Sequence, residues 1–158
     1  MSENEVIESF AKYKTEINER NDKREEIVVL SRSITKDAKR VIFHLHRIVK
    51  SPENKVISEA EKMLAKVRSN ICKISDKILG EFYPKDYYLH ERLYSFGLQE
   101  YIEAESFMFY LKNGALISIS EIEDLLENAH ENGKRLVLST NNYILGIADL
   151  TFIILEKM

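Results

Sequence analysis

Apolar residues recur every three or four positions along most of this chain, which is the spacing of one face of an α-helix. In the first fifty residues the polar stretch 19–26 separates two such groups. The first group is Val6, Phe10, Tyr13 and Ile17, and the second is Ile27, Leu30, Ile34, Ala38, Val41, Leu45 and Ile48. Because no Gly or Pro occurs from Glu5 to Val49, the pattern predicts one long helix, or two in line, with a bend or polar pocket at the interruption.

The same spacing predicts four further helices, separated by residues that favour turns and caps. Three of them have the approximate ranges 55–79, 87–112 and 143–157, and the fourth is a short helix before the last one that carries Ile122, Leu125, Leu126 and Ala129. Gly80 and the loop 81–86 separate the first two, and Ser118 or Ser120 is expected to cap the short one. The chain is therefore predicted to be an all-α single domain over residues 1–158, a bundle of five or six helices with a long N-terminal helix.

Composition agrees with a folded helical protein. The 158 residues are 44% hydrophobic and 31% charged, with only 5 Gly and 2 Pro. The single Cys72 excludes an internal disulfide and a zinc cluster, and the N-terminus lacks a secretion signal, so a cytoplasmic location is expected. The longest apolar run, 143–155, is too short for a membrane span and contains Asp149.

Three acidic residues stand in segments that are otherwise apolar. Glu100 and Glu103 lie within the aromatic and aliphatic stretch 97–111, and a separation of three places them on one side of a helix. Asp149 is the only charged residue in the stretch 144–155. Since buried carboxylates need partners, a raised pKa or a metal ion, the three are predicted to meet across two packed helices and to hold Mg²⁺. Ion pairs with basic residues of the first helix are the structural alternative.

Basic residues give a weaker signal. Lys62, Lys66, Lys73 and Lys77 share one face of the second helix, which is more often a solvated surface than a phosphate-binding stripe. The candidates for nucleic-acid contacts are Lys39, Arg40, Lys62, Lys66 and Lys73. A di-iron site is disfavoured because the chain offers only one Glu-x-x-His motif, at Glu127 and His130. His44 and His46 are interpreted as ordinary surface or boundary residues, and Cys72 as a small buried or boundary residue.

Three segments resemble the translin family, and more closely its translin-associated factor X branch. They are NDKREEIVVLSRSITKDAKRVIFHLHR at 21–47, GLQEYIEAESF at 97–107 and NYILGIADLT at 142–151. The resemblance covers nearly the whole chain in the same order. It implies an all-α fold, assembly into an octameric shell that encloses nucleic acid, and, in this branch, Mg²⁺-dependent cleavage of single-stranded RNA.

The catalytic acids that the resemblance implies fall on Glu100, Glu103 and Asp149, the residues already singled out by their apolar surroundings. Mg²⁺ is the implied ion, with Mn²⁺ as an alternative. The chain departs from the family pattern one turn after Asp149, where Ile153 replaces a frequent fourth acid; Glu156 is the substitute considered. It also ends where relatives continue into helices used in subunit packing. Oligomerisation is still expected, but an octamer does not follow from these residues.

The leading hypothesis is a homo-oligomeric endoribonuclease that hydrolyses single-stranded RNA with Mg²⁺. The alternative is a non-catalytic, translin-like protein that binds single-stranded RNA or DNA through basic faces. A third hypothesis is a purely structural helical scaffold whose acids pair with basic residues of the first helix.

Overall fold

The computed structural model of the chain describes residues 3–49, 53–79, 84–134, 136 and 138–157. That part of the chain contains five α-helices, one 3₁₀ turn and no strand, so the all-α prediction is confirmed. In chain order the helices are α1 Glu3–Leu45, α2 Glu53–Leu79, α3 Pro84–Asn113, α4 Ile119–Ala129 and α5 Thr140–Lys157; the 3₁₀ turn His46–Val49 follows α1.

Helix ends mostly fall where the capping residues predict. Ser118 caps α4 in a capping box, in which its side chain accepts from the Glu121 backbone N–H while the Glu121 carboxylate accepts from that of Ser118. The predicted loop 81–86 is wrong in part, because α3 already begins at Pro84. Proline suits the first turn of a helix, where its missing N–H would have no partner. Gly80 lies outside the described residues.

Helix α1 is the centre of the packing. It contacts α2 and α3, while α5 packs on α3 and α4 packs on α2. A continuous alternation of three- and four-residue steps along α1 places one seam against these helices. Its buried members are Ile27, Ser31, Ile34, Ala38, Val41 and Leu45. Apolar residues at the same three- and four-residue spacing predict a seam along α2, and it is buried except for Met63, which is partly exposed. Its buried members are Val56, Ala60, Val67, Ile71, Ile74 and Ile78.

The first half of α1 is exposed although it continues the same seam. Phe10, Tyr13 and Ile17 are 71%, 60% and 58% exposed. The expected interruption at 19–26 is not a break in the helix, which runs without a gap from Glu3 to Leu45. The stretch instead borders a shallow cleft of about 860 Å³ formed with residues of α2, among them Lys73 and Lys77.

Two glycines allow close contact between helices. A Cβ built on Gly97 in α3 would lie 2.8 Å from the carbonyl oxygen of Ser31 in α1. A Cβ built on Gly146 in α5 would lie 2.7 Å from Cγ2 of Ile102 in α3. Both helices therefore approach their neighbours more closely than a larger residue would permit.

None of the helices in the described ranges is both long enough and apolar enough to cross a membrane.

Candidate acidic cleft

The three predicted acids line one cleft between α1, α3 and α5. Its volume is about 380 Å³. The lining residues are Lys39, Ile42, Glu100, Glu103, Asp149, Phe152 and Ile153. Two helices that are not adjacent in the chain thus bring together the carboxylates that the sequence analysis singled out.

Local sequence explains how this meeting arises. Glu100 and Glu103 are three residues apart on α3 and so project from one side of the helix. Gly146 lies one turn before Asp149 on α5, and its close contact with Ile102 holds α5 against α3. Because Ile102 precedes Glu103 directly, this contact sets Asp149 beside the acidic side of α3.

The cleft carries an excess of negative charge. Burial, followed by the charges of Glu100 and Asp149, raises the pKa of Glu103 to about 7, and Lys39 opposes this shift. Lys39 Nζ lies 3.1 Å from Glu100 Oε1, so one of the three carboxylates has a cation partner from α1. Both the predicted acid cluster and the alternative ion pair with the first helix are therefore present at the same site.

The expectation that the three carboxylates are buried is wrong for Asp149, which is exposed, and Glu100 and Glu103 are only half-buried in a cleft that opens to solvent. A surface Asp on an apolar helix needs no buried partner, so the isolated charge in 144–155 did not by itself establish burial. In the described part of the chain no three His, Cys, Asp or Glu side chains are arranged as ligands of one metal ion. Carboxylate oxygens nevertheless suit Mg²⁺ or Mn²⁺ chemically, and a cation here would offset the like charges of Glu100 and Asp149, which after burial raise the pKa of Glu103.

The position at which the family often has a fourth acid lies on the apolar side of the cleft. Ile153, which stands one turn after Asp149, lines the cleft together with Phe152. The described residues therefore offer three carboxylates at this cleft. The side chain of Glu156, considered as a substitute ligand, lies outside the described part of the structure.

The most deeply buried carboxylate on α3 is one that the sequence analysis did not single out. The side chain of Glu105 is 2% exposed and accepts two hydrogen bonds from Arg68 of α2, at 2.9 and 3.0 Å. Burial alone would lower the pKa of Arg68, but the hydrogen bond and charge of Glu105 raise it. Nothing in the sequence distinguishes Arg68 from the other charged residues of α2 except that it directly follows Val67, a buried residue. The sequence analysis considered only basic residues of the first helix as partners for the acids.

The basic candidates do not form one positive face. Lys66 Nζ lies 3.0 Å from Asp37, which also accepts a 3.4 Å hydrogen bond from Arg40. Lys73 donates to Asn70 at 3.2 Å and borders the separate cleft near 19–26, and Lys62 is exposed on α2. Of the five, the structure places Lys39 at the acidic cleft and Arg40 beside it.

The discounted motifs have structural partners. His44 Nε2 lies 3.2 Å from the carbonyl oxygen of Val56, and the buried His130 contacts Asp76 at 3.0 Å. Burial raises the pKa of the Cys72 thiol, with the charge of Asp76 a smaller cause, which disfavours a reactive thiolate.

The fold and the cleft define an all-helical protein with a carboxylate cluster between non-adjacent helices. The translin family model matches residues 22–152, and the chain belongs to the translin family. It is 37% identical to translin-associated protein X of Mus musculus over 92% of its length, and 36% identical to that of Pongo abelii over 95%. It is 31% identical to the translin-associated protein X homolog of Schizosaccharomyces pombe over 91%. The chain spans 56 to 58% of the length of these relatives.

Proposed function

We propose that this chain is a Mg²⁺-dependent endoribonuclease that hydrolyses single-stranded RNA within a homo-oligomer. The observation that carries the proposal is the meeting of Glu100, Glu103 and Asp149 in one cleft, where burial and then the like charges of Glu100 and Asp149 raise the pKa of Glu103 to about 7. These are the acids that the family resemblance implies as catalytic. The similarity to translin-associated protein X supports the same branch of the family.

Glu100, Glu103 and Asp149 would hold the cation through their carboxylate oxygens, with Mn²⁺ as an alternative to Mg²⁺. When bound, the ion would supply activation of water and neutralisation of charge on the phosphoryl oxygens. Only Oε1 of Glu100 contacts Lys39, so its second oxygen would be available to the cation, and the Lys39 ammonium beside the site would be placed to contact the RNA backbone. The cleft opens to solvent, as the approach of an RNA strand requires, and Phe152 and Ile153 line it beside the acids.

Assembly is part of the proposal, with an octamer implied by the resemblance. The exposed seam residues of the first half of α1 support it, because such a stripe on a soluble helix is typical of an interaction surface.

The test is cleavage of end-labelled single-stranded RNA with and without Mg²⁺, comparing the parent protein with Asp149→Asn. The expected result is Mg²⁺-stimulated cleavage that leaves 5′-phosphate ends, is abolished by EDTA, and falls at least 100-fold in Asp149→Asn. Asp22→Asn is the matched control, because Asp22 is exposed on α1 and borders a different cleft. Cyclic 2′,3′-phosphate ends, or equal cleavage by both variants, would overturn the proposal.

A second candidate is a non-catalytic protein that binds single-stranded RNA or DNA. The Lys39–Glu100 ion pair favours it, because it neutralises one acid without a metal ion. This function predicts binding that weakens steeply with salt and no cleavage at any Mg²⁺ concentration. The same RNA, assayed for binding and for cleavage in parallel, separates the two functions.

A further inference from the structure

We propose that the cleft on the other side of Lys39 is a stacking site for one base of single-stranded RNA, with Phe43 as its platform. This cleft has a volume of about 390 Å³. It is lined by Lys39, Arg40, Phe43, His44, Arg47 and Met63. The inference rests on the proposed function and deepens it, because it names how the acidic cleft receives its substrate.

Phe43 is the feature that calls for a ligand. Phe43 is 75% exposed, on the side of α1 opposite the fully buried Val41 and Leu45, so its ring faces the cleft and solvent rather than the core. An exposed aromatic ring among basic residues costs solvation energy unless something covers it. Nucleic-acid bases are flat and apolar on their faces and are joined by an anionic backbone, so they match both the ring and the surrounding charges.

The charges around Phe43 are placed for a backbone rather than for a protein helix. Lys39, Phe43 and Arg47 follow one another at intervals of four residues, so they are neighbours along one side of α1 and the turn that follows it. The Arg40 side chain is 59% exposed and has only a 3.4 Å contact with Asp37. His44 also lines the cleft, and its Nε2 lies 3.2 Å from the Val56 carbonyl oxygen and 3.4 Å from Glu59 Oε2.

The two clefts are neighbours because Lys39 lines both of them. Lys39 and Phe43 are one helical turn apart, about 6 Å along the axis of α1. A strand whose phosphate lies at the acidic cleft therefore passes Lys39 and presents a base to Phe43 within one or two nucleotides. Phe43 is in this view a substrate-positioning residue, and Arg40 and Arg47 contact the backbone of the same strand.

The experiment measures binding in the Asp149→Asn background, so that cleavage does not interfere. RNA oligonucleotides that carry 2-aminopurine at single positions report stacking as fluorescence quenching. Phe43→Ala is compared with Phe96→Ala, since Phe96 on α3 is also 75% exposed but lines neither cleft. We expect Phe43→Ala to weaken binding about 5- to 150-fold, the range for loss of one stacked base, and Phe96→Ala to leave it unchanged.

An abasic nucleotide at the quenched position tests the assignment further. If Phe43 stacks on that base, removing the base weakens RNA binding by the protein that retains Phe43. In Phe43→Ala the same removal should weaken RNA binding little further. Equal losses in both proteins would overturn the stacking site. The stacking site would also be overturned if Phe43→Ala bound RNA normally but sedimented as a smaller oligomer. That result would assign the Phe43 ring to a contact between subunits.

Failure of the proposed function is distinguishable from failure of the stacking site. If the parent protein cleaves RNA with Mg²⁺ and Phe43→Ala binds RNA normally, the proposed nuclease function stands and only the stacking site is overturned. Tight binding that depends on Phe43, without cleavage by the parent protein, retains the stacking site and favours the non-catalytic function. Absence of RNA binding by the parent overturns both.

Discussion

Two carboxylates on α3, only two residues apart, have opposite surroundings. Glu105 faces α2 and is paired with Arg68 through two hydrogen bonds in the protein interior. Glu103 faces the cleft beside α5 and meets the like charges of Glu100 and Asp149, with Lys39 as a weaker opposing influence. One site satisfies its charge within the chain, and the other retains an unbalanced charge next to solvent.

The difference separates a structural carboxylate from a candidate functional one. A buried ion pair is disrupted strongly when one partner is lost, so Arg68 and Glu105 are expected to fix how α2 and α3 pack. A cluster of like charges reduces stability until a cation or proton arrives, so the acidic cleft is expected to respond to metal ions and pH.

The largest expected effect comes from Arg68→Met, which would leave Glu105 buried without its partner. We expect the free energy of unfolding to fall by about 3 to 5 kcal/mol, measured by urea denaturation followed by circular dichroism. Arg32→Met, at an exposed position on α1, serves as the control and should change stability by less than about 0.5 kcal/mol.

A double variant sharpens this test of the buried pair. Arg68→Met combined with Glu105→Met removes both charges, so most of the lost stability should return. If the double variant is as unstable as the sum of the single changes, the pair does not act as a unit and the contrast with Glu103 fails.

The next effect concerns the contact that places Asp149 in the cleft. In Gly146→Ala the new methyl group would lie 2.7 Å from Ile102 Cγ2 and 2.9 Å from the Gln99 carbonyl oxygen, so α5 must shift. We expect a net loss of about 1 to 3 kcal/mol despite the better helix propensity of alanine, measured by thermal unfolding. Weaker Mn²⁺ binding in a paramagnetic titration should accompany it, whereas Ala148→Ser, exposed on the same helix, should change neither.

The smallest effect is the pH dependence that Glu103 contributes. Its folded pKa of about 7 lies above the ordinary value of 4.5, so the folded state binds the proton more tightly than the unfolded state. Stability should therefore fall between about pH 4.5 and 7, and the full cost should be present above pH 7. With a discount for partial exposure to solvent, this cost is about 1 to 2 kcal/mol.

Glu103→Gln isolates that contribution. In the parent protein the urea midpoint of unfolding should fall between pH 5 and pH 8, and in Glu103→Gln this fall should be smaller. Glu16→Gln, at an exposed position on α1, should show the same fall as the parent. Millimolar Mg²⁺ should raise the stability of the parent at pH 8 more than that of Glu103→Gln. Parallel pH profiles for all three proteins would contradict the assignment.

Much of the site was accessible from sequence because helical spacing is regular. Glu100 and Glu103 share a side of α3 in any helix that contains both, and the apolar context of Asp149 marked it as unusual. The buried pair was not accessible, because Arg68 and Glu105 are 37 residues apart and look like ordinary charges on two helices. Phe43 was likewise hidden, since an aromatic residue beside a helical stripe is usually buried.

The sequence by itself determined where the helices lie and which side of each is apolar, because these follow from local propensity and a period of 3.6 residues. The tertiary structure decided which apolar and charged residues are covered. On α1 two groups of apolar residues have the same spacing on either side of the polar stretch 19–26, yet Phe10, Tyr13 and Ile17 are exposed while the group from Ile27 to Leu45 contributes to the core. Whether a carboxylate is paired, repelled or exposed depends on side chains that other helices bring to it, and periodicity along one helix carries no information about them.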